Sequence, residues 1–160
     1  VVGEIGVADD FLGVYLDLNL ANKPLTMREY FGNELGTEFY YRHPWSYMRR
    51  AVYGVDEPSP TIRGVNRPIP NGYPGHHLDA TKDLKKVRPL TTTERGMIQT
   101  FPKNFKWVGS KTNVEQMIGN AVPVKLAEYV ANCMTEYLND KKSGRRTSHA
   151  EARVQPLLKI

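Results

Sequence analysis

Between residues 40 and 80, rings and guanidinium groups alternate: Tyr40, Tyr41, Trp45, Tyr47, Tyr53 and Tyr73 interleave with Arg42, Arg49, Arg50, Arg63 and Arg67. A guanidinium is planar and permanently charged, and its fork of N–H donors matches the O6/N7 edge of guanine or the free oxygens of a phosphate. Asn66 lies between Arg63 and Arg67 and carries the amide geometry that suits adenine. The same mixture has a second use, because arginines and aromatic rings also stack on one another and stiffen irregular loops. The residues alone leave both uses open. His43, His76 and His77 stand in the same stretch without enough further ligands to close a metal shell, so they read as loop hydrogen-bonding groups. The single cysteine, Cys133, falls on the apolar face of a helical pattern, where a thiol acts as a small hydrophobe. No catalytic residue and no metal site is expected.

Those side chains need partners and a scaffold. The formal charge of +5 is unevenly spread: residues 1–41 carry two Lys/Arg against seven Asp/Glu, and residues 42–160 carry twenty against ten. A basic chain of pI near 9.3 with clustered arginines is expected to bind a polyanion, since each cation set against a phosphate releases condensed counterions. The hydrophobic share of 40% and charged share of 24% exclude wholesale disorder. No apolar run reaches the roughly 18 to 20 residues of a membrane span, and the start VVGEIGVADD lacks the pattern of a signal peptide. A soluble, cytoplasmic protein is the expectation.

Four segments follow from composition. Residues 1–23 contain FLGVYLDLNL, which reads as a strand and connector, and the capping pattern Thr26 to Glu29 starts a short helix after it. Within the segment 24–85, residues 40–80 hold six prolines at 44, 58, 60, 68, 70 and 74 together with Gly54, Gly64, Gly72 and Gly75, so they read as short strands and ordered loops. Residues 86–140 contain a second capping pattern, Thr91 to Glu94, with Leu90, Met97, Ile98 and Phe101 on one face of a helix ended at Phe101-Pro102. A longer amphipathic helix then opens near Pro123, with Leu126, Ala127, Val130, Cys133, Met134, Tyr137 and Leu138 on its apolar face. Residues 141–160 read as a basic tail with a terminal docking segment PLLKI.

Two strings narrow the function. RPLTTTERGMIQTFPKNFKW, residues 88–107, and QMIGNAVP, residues 116–123, resemble the last two conserved blocks of the DNA cytosine-5 methyltransferases: R-x-L-T-x-x-E-x-x-x-x-Q-x-F-P, a spacer, then Q-x-x-G-N-[SA]-V and a closing helix. DEPSPTIRGVNRP resembles the end of that family's target recognition region, with Thr61-Ile62 at its Thr-aliphatic pair. The resemblance runs from about residue 24 to 140. The family's Gly-rich cofactor turn, Pro-Cys nucleophile, Glu-Asn-Val block and Gln-x-Arg-x-Arg strand have no counterpart here, and Cys133 follows Asn132 instead of proline.

The resemblance implies an α+β chain: a small irregular β-rich recognition lobe, and helices that complete a Rossmann-like methyltransferase domain supplied elsewhere. It implies that Gly119, Asn120, Ala121 and Val122 form a turn closing the S-adenosylmethionine pocket, with Ala121 where Ser is commoner. Thr61 is implied beside the flipped cytidine, with Arg63, Asn66 and Arg67 just beyond it and Arg49 and Arg50 as a second pair on double-stranded DNA. Arg88, Glu94, Arg95 and Gln99 are implied to orient the recognition region by internal bonding. The implied function is the recognition and pocket-completing part of a bacterial restriction-modification methyltransferase, inert without a catalytic half bearing the Pro-Cys block. Competing expectations are a stand-alone DNA-binding module or regulator, and an RNA binder stacking bases on Tyr40, Tyr41, Trp45 and Tyr47.

Overall fold

The computed structural model describes residues 23–46 and 48–143. The strand expected within residues 11–20, Tyr47 and the tail beyond residue 143 lie outside the described residues. Residues 24–124 form one compact unit, and helix α4 beyond Val124 belongs to another. Each is described by itself.

The first unit is α+β. Helix α1, Met27–Phe31, starts where expected: Thr26 Oγ1 accepts the Glu29 N–H at 3.1 Å, and Glu29 Oε2 accepts the Thr26 N–H at 2.7 Å. Two further first-turn donors, Met27 N and Arg28 N, find the carbonyls of Glu57 and Val55, so the cap also fixes the helix to the chain that follows the second strand. Strand β1, Phe39–Tyr41, is the middle of a three-stranded sheet. It pairs antiparallel with β2, Val52–Gly54, and parallel with β3, Val87–Pro89. The sheet therefore draws strands from both sides of residue 86.

Alternation across β1 separates two apolar layers, as the period of two requires. Tyr40 packs with Met27, Phe31, Leu35, Val55 and Leu90, whereas Tyr41 packs with Ala51, Val52, Tyr73 and Val87. Asp79 ties the second layer to β2, accepting the N–H groups of Ala51, Val52 and His76 and the Tyr73 hydroxyl at 2.8–3.1 Å. Burial pushes the Asp79 carboxyl up, but those four donors together outweigh it and hold it below the usual carboxylate range. Its folded pKa is thus depressed, and the stability it gives is present above the unfolded value and lost as pH falls through the folded one. Replacement Asp79→Ala is expected to cost about 1–3 kcal/mol near neutrality. In urea titrations that deficit should close as pH drops below about 4, the unfolded value.

A 3-10 turn, Leu84–Lys86, leads into β3, and helix α2, Thr92–Ile98, follows with a second complete capping box on Thr91 and Glu94. It stops at Ile98, before the expected Phe101-Pro102 break. The Phe101 N–H turns back to Gly96 O and the Thr100 N–H to Met97 O, with Thr100 at φ +61°, a left-handed helix stop built on a β-branched residue. Helix α3, Lys111–Asn120, is capped by Ser110 Oγ. Ile62, Val114 and Ile118 form a third apolar cluster under it, flanked by Ile98 and Trp107.

Helix α4, Val124–Ser143, begins one residue after Pro123. Its expected apolar stripe is only partly covered: Cys133 is buried and Val130 and Tyr137 are half-buried, whereas Leu126, Met134 and Leu138 are exposed. Burial pushes the Cys133 thiol up, which agrees with an inert residue and opposes a thiolate. Among the described residues no helix is long and apolar enough to cross a membrane.

Candidate nucleic-acid interface

The described arginines of the first unit fall into two sets. Arg28 is paired with Asp56 and Glu38, Arg50 with Glu57, Arg88 with Glu94, and Arg95 with Glu115. Arg42, Arg49, Arg63 and Arg67 make no ion pair among the described residues. The second set comes from two segments that are stitched together. Arg42 Nε donates to Thr61 O at 2.9 Å, and Arg63 Nη1 reaches His43 O at 3.5 Å. The Arg63 guanidinium lies 4.8 Å from the Trp45 ring centre. Trp45 is 79% exposed and Met48 85%; Arg49, next to Met48 in sequence, is exposed, as are Thr61 and Arg67 on the second segment. The His43 ring is pushed down by partial burial and then by the charges of Arg67 and Arg63, so it is neutral at neutral pH. The four arginines thus have no acid partner among the described residues, and their first segment carries two large bare apolar side chains, Trp45 and Met48.

Behind it lies a buried polar knot. Arg95 and Glu115 are nearly inaccessible and paired with each other, and Arg95 Nη2 also donates to Arg63 O. Glu115 Oε1 accepts from Asn66 Nδ2 at 3.1 Å and from Thr92 Oγ1 at 2.7 Å. Burial and then the Arg42 charge pull Arg95 down to about 10, which still leaves it protonated at neutral pH. Gln99 Nε2 donates to Ile118 O and Ala121 O at 3.0 and 3.3 Å. The knot joins α2, α3 and residues 63–66, which is the internal bonding expected of Arg95 and Gln99. Arg88 and Glu94 bond each other at 2.7 and 2.9 Å, and Arg88 also donates to Leu35 O.

Several expected roles change on this geometry. Asn66 donates to Leu90 O as well as to Glu115, so its amide N–H groups face inward and not toward a base. Arg50 is committed too, with its guanidinium on the Glu57 carboxylate and 4.5 Å from the Tyr53 ring, and its Nε on Val52 O. Gly119 and Asn120 do not open a turn at the start of α4: they are the last residues of α3. A Cβ on Gly119 would lie within 2.5 Å of Gly64 Cα and closer still to Gly64 N and the Arg63 carbonyl carbon. That glycine is there to let α3 seat against residues 63–64. Ala121 donates to Ile118 O and accepts from Gln99. Asn120 and Val122 are exposed, so they are the pair of this quartet with surface free for a ligand. The His76 and His77 rings lie 4.2 Å apart, tilted by 34°, and among the described residues no group of three His, Cys, Asp or Glu could hold a metal. Composition did not single out Arg42 and His43 as site residues; the signal available was their place in the alternation of rings and arginines.

Comparison with known proteins gives the chain a family. The model of the C-5 cytosine-specific DNA methylase family matches residues 17–136. The chain belongs to that family. The match starts upstream of residue 24, where the sequence resemblance begins. The chain is similar to the type II methyltransferase M.HindV of Haemophilus influenzae, with 54% identity over 86% of this chain and 45% of that protein. It is also similar to the type II methyltransferase M.HgiDI of Herpetosiphon aurantiacus, with 58% identity over 79% of this chain and 41% of that one. Similarity to the type II methyltransferase M.SacI of Streptomyces achromogenes is lower, 29% over 59% of the chain. The chain spans less than half the length of each of these curated relatives. No solved structure matches it.

Proposed function

We propose that this chain is the DNA-recognising, cofactor-pocket-closing portion of a type II DNA cytosine-5 methyltransferase. It works with a catalytic half that carries the Pro-Cys nucleophile. The observation that carries this is the arginine set without carboxylate partners, Arg42, Arg49, Arg63 and Arg67, on two cross-linked segments of a chain in this family. Arg49 and Arg67, exposed and free of ion pairs among the described residues, hold the phosphate backbone. Thr61, exposed beside Arg63 in sequence, stands near the extruded cytidine, and its carbonyl is fixed by Arg42.

The family uses S-adenosylmethionine, which supplies the electrophilic methyl group when bound. The Asn120 amide and the Val122 side chain fit one wall of its site, while Gly119 and Ala121 hold that wall to α2 and to residues 63–64. The nucleophile comes from the other half, because Cys133 is buried in α4. Mixing the chain with a catalytic half and tritiated S-adenosylmethionine should label duplex DNA, and neither part should do so by itself. Labelling by the unaccompanied chain would overturn the division of labour, and site-specific binding without any rescue would favour a stand-alone binding module. In a salt titration, Arg49→Ala and Arg67→Ala should each reduce the slope of log K against log salt by about one and weaken all sequences alike.

A further inference from the structure

Arg63 differs from the other arginines without carboxylate partners in how completely it is held. Ile62 before it is buried under α3, its own carbonyl is bonded by the buried Arg95, and at Gly64 after it an added Cβ would come within 3.2 Å of Gln116 Cα. The origin of the side chain is therefore fixed. Its far end is fixed by the indole of Trp45 and by His43 O. One donor of the fork is engaged in this way, and among the described residues the rest of that fork has no hydrogen-bond partner. A phosphate contact tolerates a swinging cation, but a base edge must be met by two parallel donors in a set plane. An indole left 79% exposed with its face against a guanidinium meets that need for a set plane.

We propose that Trp45 is a positioning residue, holding the Arg63 guanidinium in the plane from which it reads one guanine edge of the bound duplex. This rests on the DNA-recognition reading above. Arg63 makes the base contact; Trp45 acts through Arg63 and touches no base.

The test takes the full chain together with its catalytic half, first selecting a preferred duplex from a randomised library. Binding is then measured to that duplex and to variants with each guanine replaced. Arg63→Ala should lose about 5- to 150-fold of discrimination at one guanine, the span of a lost bidentate contact. Arg63→Lys should behave like it, having charge but no fork. Trp45→Ala should lose about 2- to 5-fold at the same guanine only, and Trp45→Phe should restore it by keeping a ring face. Trp45→Ala should add nothing on an Arg63→Ala background. Additive losses, or weakening spread over every sequence, would overturn the proposal by showing that the indole meets DNA directly. A wild-type assembly with no salt-dependent duplex binding would sink the recognition reading itself. A readout free of DNA separates the two failures: rotation of the Arg63 guanidinium, followed by nitrogen NMR, should be slow in the wild type and in Trp45→Phe, and fast in Trp45→Ala. Fast rotation in the wild type counts against the positioning role whatever the DNA result.

Discussion

Glu115→Ala is expected to be the most damaging single change in residues 24–124, lowering stability by about 3–5 kcal/mol. Glu115 is buried and accepts from Arg95, Asn66 and Thr92 together. Removing it strands a guanidinium that is itself almost inaccessible and leaves two polar side chains short of an acceptor. The large effect belongs to breaking the pair and not to the pair's net worth, since desolvation offsets much of the attraction between buried charges. That distinction can be measured. A double replacement, Arg95→Met with Glu115→Leu, should recover most of the loss in urea unfolding, whereas either single change should shift the midpoint strongly at constant m. Equal midpoints for Glu115→Ala and the wild type would show that the carboxylate is dispensable.

Gly119→Ala should also destabilise, against the usual direction for a helix. In an exposed helix interior, alanine in place of glycine gains about 1 kcal/mol. Here the added methyl meets backbone of residues 63 and 64, with no flexible side chain available to yield. The expected net cost is about 1–3 kcal/mol, and more for Gly119→Val. Gly96 is the informative control: its Cβ would approach the Trp107 ring at 2.5 Å, but that neighbour is a side chain able to move. Gly96→Ala should therefore cost less. Thermal unfolding of the three variants checks the order, and a more stable Gly119→Ala would contradict the close approach of α3 to residues 63–64.

The sequence makes visible what is settled within a few residues. Both capping boxes are complete within four residues, and the structure forms both. The short strands and loops of the proline-rich stretch follow from local backbone restriction in the same way. Roles fixed by distant partners are not visible. Asn66 meets Glu115 across 49 positions and Arg42 meets Thr61 across 19, so no spacing rule separates an inward amide from a base-reading one. Arg49 and Arg50 are adjacent and chemically alike, yet Glu57 claims one of them and not the other. Gly119 is legible as a constrained glycine, but the constraint the structure shows is the backbone of a segment 55 residues earlier, at Gly64, which no local pattern reveals.

On the proposed reading, the seating of residues 62–66 on α2 and α3 also decides where the chain can be spliced to change its DNA site. Donor loops exchanged upstream of Thr61 would leave the platform and Arg63 in place while replacing Trp45 and His43, which hold its guanidinium. A junction cut between Ile62 and Asn66 would divide the platform from its own anchor, so that a chimera would fail in folding before its choice of DNA site could be assayed.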